Sequence, residues 1–226
     1  MGKVIVFGAG GRAGRRVAAE AAARGHQVTA VVRDPGRYPD LDAVAGDVTS
    51  AEDVAALAAG HDAAVHAAAR LDVPAADFFP AAARALADGL ARAGVARLVG
   101  IGIGSTLETA PGVAVHDAPD YPAEYRPFSL GHAAQIEVLR SGGPALDWVL
   151  LVPPPTLLDA EAARTGRYRT GGTGVLSTGT LSYADLAVAV VDECEAPRHH
   201  REIVAVAPWA VQLTEPGGAD GGARPT

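Results

Sequence analysis

Apolar residues in this chain gather in short, β-branched runs, and between the runs Ala, Leu and Val recur at helical spacing among Arg, Asp and Glu. The runs are KVIVF (3–7), QVTAVV (27–32), LDAVAGD (41–47), AAVHAA (63–68), ARLVGIGI (96–103), DWVLLV (147–152) and EIVAVA (202–207). Most lack the apolar–polar alternation of a strand with one wet face, so they predict strands covered on both sides. The segments between them predict helices over 12–25, 50–59, 77–93, 128–141 and 182–194. Two helix starts carry their own signal: Ser50 with Asp53, and Ser182 with Asp185, set an N-cap hydroxyl ahead of an acid at the third helical position. Strands alternating with helices predict an α/β fold built on a doubly wound parallel sheet of about seven strands.

The alternation breaks between Pro153 and Leu181, where PPP, GGTG and several Thr interrupt it. An insertion there sits over the crevice of a doubly wound sheet. Together with about 105–130, the stretch 153–181 predicts a small C-terminal substrate lobe, with at most a short hairpin around Tyr168 and Val175. The lobe belongs to one unit spanning 1–210. After Leu213 the sequence TEPGGADGGARPT has few apolar anchors, so 211–226 reads as a flexible tail.

Composition narrows the function. The chain has 226 residues, 49% hydrophobic and 20% charged, which suits a single large globular unit. A net charge of -7 argues against nucleic acid as a partner, because phosphate backbones select a basic face. A single Cys, with no HxxxH or HExxH pair among the histidines, leaves no metal site to expect. The first apolar run is too short for a signal-peptide core or a membrane span, so the expected location is cytoplasmic, with no membrane partner.

The candidate chemistry starts directly after the first strand, at Gly8-Ala9-Gly10-Gly11-Arg12-Ala13-Gly14. A pyrophosphate needs a tight turn, a bare backbone and the positive end of a helix, and this turn supplies all three. Gly8, Gly11 and Gly14 have GxxGxxG spacing; Gly8 and Gly10 also open a GxGxxG pattern that closes on Ala13. The second strand ends Val32-Arg33-Asp34. NAD enzymes place an acid at that point, whereas an Arg there can fork onto a 2′-phosphate, with Arg12 as a second cation. NADP (as NADPH) is therefore expected ahead of NAD. Asp47 and Val48, after the third strand, would flank the adenine edge, Asp47 having helix initiation as its other explanation. Ala67, Ala68 and Ala69, after the fourth strand, are small enough to let a dinucleotide lie against the backbone, or a helix pack closely.

FGAGGRAG, VVRDP, GDVTSAEDV, LETAPGV (107–113), PAEYRP (122–127), ALDWVLLVPP (145–154), RTGRYR (164–169), LSYADLAVAVVDE (181–193) and APRHHR (196–201) give the chain a family likeness from Val4 to about Val206. It resembles the NAD(P)H-binding atypical short-chain dehydrogenases, the group of the NADH-flavin reductases and biliverdin-IXβ reductase, with NmrA-type regulators as cousins. The resemblance implies a hydroxyl after the fifth strand that contacts nicotinamide or acceptor; Ser105 and Thr106 both stand there. The chain departs from the ketone-reducing members, which use YxxxK: there is no Lys after Lys3, and Tyr125 is followed four residues on by Ser129. Without that activated Tyr, hydride transfer to a flavin or another planar conjugated acceptor fits better than alcohol oxidation, since the isoalloxazine can take its proton from water. Tyr121 or Tyr125 would line that site; with Phe128 and Tyr168 they fall in the loops over the crevice, as an aromatic wall for a planar acceptor or as ordinary packing of the lobe, and His116 and His132 are expected to be solvated. Neighbouring Glu193 and Glu195 should keep Cys194 a thiol. Two other readings stay open: an NADP-binding redox-sensing regulator without turnover, and a specialised-metabolism reductase, isomerase or cyclase.

Overall fold

The structure is a computed structural model and describes residues 2–154, 158–176 and 179–209. β1 (Lys3–Phe7) leads through α1 (Arg12–Ala23) to β2 (Gln27–Val32) and the short β3 (Ala43–Ala45). α2 (Ala51–Ala58) returns the chain to β4 (Ala63–His66), and α3 (Ala75–Ala93) to β5 (Arg97–Ile101). α4 (Arg126–Ser141), β6 (Asp147–Val152), β7 (Tyr168–Thr170), α5 (Tyr183–Glu195) and β8 (Glu202–Pro208) complete it. The eight-stranded sheet runs in the order β7-β8-β6-β5-β4-β1-β2-β3. β1 pairs in parallel with β2 on one side and β4 on the other. The chain leaves β1 in one direction and later crosses back, so the strand order reverses beside β1 and a crevice opens at the carboxyl ends of the strands there.

Strand residues alternate between two apolar layers. Ile5, Phe7, Ala64, Leu98, Trp148 and Leu150 pack against α2, α3 and α4. Val4, Val6, Val65, Val99, Val149 and Leu151 face α1 and α5 on the other side. Burying each larger side chain is worth about 1.5 to 3 kcal/mol, which is why β1 carries no polar position inside its first residue. Ser50 and Ser182 cap α2 and α5 by accepting from the Asp53 and Asp185 amides.

Three expectations change. Among the described residues Tyr168–Thr170 is not paired in a hairpin with the Val175 segment; it adds antiparallel to β8, whose outer edge would otherwise be left unpaired. Val175 instead donates its amide to the Glu108 carbonyl, and the Glu108 amide donates to Thr173, so the 105–130 and 153–181 segments meet. His116 and His132 are buried rather than solvated, at 6% and 5% exposure. Cys194 does remain a thiol, pushed up to about 12, but burial is the main cause and the neighbouring glutamates come after it. Among the described residues no helix is long and apolar enough to cross a membrane. The 211–226 tail lies outside the described residues.

Candidate functional site

The turn after β1 is shaped by close approaches. Gly8 has φ +87°, a conformation that favours glycine, and a Cβ there would lie 2.4 Å from the Ala68 nitrogen. A Cβ on Gly14 would lie 2.2 Å from the Gly8 carbonyl oxygen, so α1 seats directly on the turn. Gly11 differs: it is the exposed N-cap of α1 in ordinary extended backbone. No side chain caps α1 and no acid stands in its first turn, so no carboxylate of that turn competes for the amides at its positive end.

The turn opens onto a cavity of about 460 Å³. Gly8, Gly10 and Gly11 form one wall, Arg33 and Tyr38 stand over the β2 end, and Val48 with Ala67, Ala68 and Ala69 lines the far side. Ala67, Ala68 and Ala69 reach the cavity because β4 ends at His66 and the chain leaves the ladder there. A bare turn, an uncapped helix and a guanidinium around one cavity fit a dinucleotide: the amides of α1 would hold the pyrophosphate, and Val48 with the alanines would flank the adenine.

Arg33 is partly exposed, its Nη1 3.9 Å from the Asp72 carboxylate. Asp72 is gripped more closely by Arg70, through Nε at 3.0 Å and Nη2 at 2.5 Å. That grip holds the Asp72 carboxyl down at about 2. Asp34 accepts from the Gly36 amide at 3.0 Å and closes a tight turn that carries Tyr38. The Tyr38 ring then lies on Gly10, where a Cβ would come within 2.4 Å of it. Arg12 is placed elsewhere: its guanidinium lies 5.7 Å from the Tyr183 ring centroid, toward α5. Ala13 is half-buried in the first turn of α1. Asp47 accepts from the Thr49 amide at 2.8 Å and the Thr49 hydroxyl at 2.7 Å, contacts that belong to the start of α2.

Past β5, Ser105 and Thr106 part company. Thr106 Oγ1 donates to the Ile103 carbonyl at 2.8 Å, inside its own turn. Ser105 Oγ lies 2.8 Å from Ser129 Oγ, and Ser129 Oγ lies 2.9 Å from the Tyr121 hydroxyl. His116 fixes the same turn, its Nδ1 2.7 Å from the Ser105 carbonyl oxygen. Tyr125 stays outside this group, with its side chain exposed while its carbonyl accepts from Ser129 Oγ at 3.2 Å. Behind the cluster, His132 packs on Phe79 with ring centroids 3.7 Å apart. Burial pushes His66 down to about 4; burial and then the neighbouring His66 push His132 down to about 3.

Sequence reasoning missed Tyr38, Arg70, Asp72 and Ser129. Ser129 was visible only as the residue standing where the Lys of YxxxK would be. Tyr38 had a signal in the extra Gly10, a bare position inside the turn that another ring can cover.

Comparison with known proteins places this geometry. In solved structures, a protein of Burkholderia pseudomallei provisionally named as exported is 36% identical, with a TM-score of 0.81 over 92% of this chain and 100% of its own. A protein of Bacteroides thetaiotaomicron provisionally named an epimerase is 29% identical, with a TM-score of 0.80 over 93% of this chain and 98% of its own. A protein of Streptococcus pneumoniae provisionally named an NADH-flavin reductase is 26% identical, with a TM-score of 0.79 over 92% of this chain and 100% of its own. The sequence pattern of the NAD(P)H-binding family matches residues 8–197, from the glycine turn to the end of α5. Because the match takes in the crevice, the hydroxyl cluster and the helices that hold both, this chain belongs to the NAD(P)H-binding family.

Proposed function

We propose that the protein is an NADPH-dependent reductase that passes hydride to a flavin or another planar conjugated acceptor. The observation that carries the reaction class is the surroundings of Tyr121: its hydroxyl meets Ser129, and the chain's one lysine, Lys3, begins β1 at the opposite end of that strand from the crevice. The Tyr–Lys acid that ketone reduction relies on has no counterpart here. Conjugated acceptors need orientation more than strong acid catalysis. When bound, reduced nicotinamide supplies the hydride. The name of the Streptococcus neighbour supports the reading; the name of the Bacteroides neighbour keeps an isomerising or epimerising reaction as the competing outcome. NADPH is preferred over NADH in this proposal because Arg33 lines the cavity and its carboxylate neighbour, Asp72, lies 3.9 Å away and is held more closely by Arg70.

Arg33→Ala should weaken NADPH binding by about 1.5 kcal/mol, the lower end for a charged hydrogen bond because Arg33 is partly exposed, and leave NADH nearly unchanged. Titration calorimetry with both cofactors reads this directly. Equal losses would remove Arg33 from phosphate recognition.

The reaction itself is tested by following NADPH oxidation against flavins, quinones and conjugated ketones. The expected result is acceptor-dependent oxidation, with Ser105→Ala slowing it by roughly tenfold, the effect of about 1.4 kcal/mol in the barrier. Thr106→Ala should do less, since its hydroxyl is engaged by Ile103. Cofactor binding with no turnover on any acceptor would favour a redox-sensing regulator or a dedicated biosynthetic substrate instead.

A further inference from the structure

Ser129 sits at the centre of a hydroxyl cluster, 1% exposed, and its oxygen meets three partners. They are Ser105 Oγ at 2.8 Å, the Tyr121 hydroxyl at 2.9 Å and the Tyr125 carbonyl at 3.2 Å. A serine hydroxyl donates once and accepts twice. At rest its proton goes to the Tyr125 carbonyl, and Ser105 and Tyr121 both donate to Ser129. A second arrangement uses the same atoms: Tyr121 donates to Ser129, Ser129 donates to Ser105, and the Ser105 proton is released for another acceptor.

The exchange costs little, because the contact given up is the longest of the three. The Tyr125 carbonyl is not orphaned either, since the Ser129 backbone amide also donates to it at 3.1 Å. Two further contacts hold the ends of the chain in place. His116 fixes the Ser105 turn, and Arg126 lies over the Tyr121 ring, 5.9 Å from its centroid. Ser105 follows the carboxyl end of β5, the end of the sheet on which crevice ligands bind.

We propose that Ser129 is a positioning residue that links Tyr121 to Ser105 as a proton relay, so that the acceptor is one that takes up a proton together with hydride. The inference rests on the reductase reading and narrows it to acceptors such as quinones, isoalloxazines and conjugated enones. The acceptor gains two electrons and one proton as hydride, leaving the nicotinamide oxidised, and gains a second proton from Ser105 Oγ. Ser105 is refilled from Ser129, Ser129 from Tyr121, and the phenol from water. A neutral hydroxyl chain delivers the proton without the lysine that the ketone reducers use.

The test compares Ser129→Thr with Ser129→Val, which carry the same bulk and differ in the hydroxyl. The Val variant should lose roughly 100-fold in turnover relative to the Thr variant, the low end of what a positioned acid contributes. NADPH affinity should be equal in the two. Tyr121→Phe should cause a similar loss, and adding it to Ser129→Val should cost no more, because both interrupt one chain. The solvent deuterium isotope effect present in wild type and the Thr variant should change in the Val variant. A readout without turnover is the 13C resonance of the hydroxyl-bearing Tyr121 ring carbon, which should move in the Val variant and return in the Thr variant. Equal turnover by Thr and Val variants, or a Tyr121 resonance indifferent to the hydroxyl, overturns the relay. If wild type oxidises NADPH normally in those cases, the reductase reading stands; if wild type oxidises none with any acceptor, both fall.

Discussion

Gly11→Val is expected to abolish dinucleotide binding while the protein stays folded. At Gly8 or Gly14 any side chain would strike backbone at 2.4 Å or 2.2 Å, so substitution there confounds loss of binding with loss of structure. Gly11 has φ -75° and ψ 167°, a conformation open to any residue. A Cβ there would make ordinary contact, at 3.4 Å from the Gly8 carbonyl oxygen. The branched methyls of valine would instead occupy the approach to the α1 amides. Losing two charge-assisted hydrogen bonds of about 1.5 to 3 kcal/mol each lowers affinity by more than roughly 100-fold. Calorimetry with NADPH, beside a thermal melt by circular dichroism, measures both halves of the expectation. A folded variant that binds as wild type does would show that this turn does not hold the pyrophosphate.

Mild acid should destabilise the fold through His66 and His132. Both imidazoles are buried neutral, with folded values near 4 and 3 against an ordinary 6.5. The unfolded chain takes up these protons as pH falls through 6.5, whereas the folded chain resists until about 4 or below. Stability contributed by neutral burial is therefore present above 6.5 and is lost as pH falls from there toward 4. At pH 4.5 each histidine should cost on the order of 2 to 3 kcal/mol, which together is a large part of a typical ~5–15 kcal/mol total. Urea unfolding at pH 7 and pH 4.5 measures the drop. His132→Leu should keep the packing on Phe79 and remove about half of the pH dependence, since unfolded imidazoles titrate independently. Asp72 contributes at more acidic pH, because its lowered carboxyl matters only below its ordinary 3.8. An unchanged pH slope in the His132 variant would show that this imidazole is protonated alike in both states.

The two halves of the proposed site differ in how the chain builds them. The glycine turn, α1 and the β2 end come from adjacent chain, and they make a dinucleotide crevice whatever follows. The proposed reacting end draws on Ser105, Tyr121 and Ser129, which lie on the turn after β5, the loop beyond it and the first turn of α4. Changing one loop changes the hydroxyls without disturbing the crevice.

The strands β1, β2 and β6 have the limits that their apolar runs predicted, because an apolar run closed by glycine, charge or proline is a local signal. The same holds for the Ser50 and Ser182 caps, each a contact three residues long. The runs at 41–47, 63–68 and 96–103 extend past the strands they form, since a strand ends where its neighbour's ladder ends and the run itself carries no such mark. Among the described residues β3 has β2 as its only ladder partner, and it spans three residues. Tertiary structure alone decided that Tyr168–Thr170 would join β8, that Tyr38 would cover Gly10, and that His66 and His132 would be sealed beside α3 and α4. It also brought residue 129 to residues 105 and 121. Propensity and periodicity act within a turn or two of the chain, whereas burial and hydrogen bonding between distant segments depend on how whole helices dock on the sheet, which no local pattern encodes.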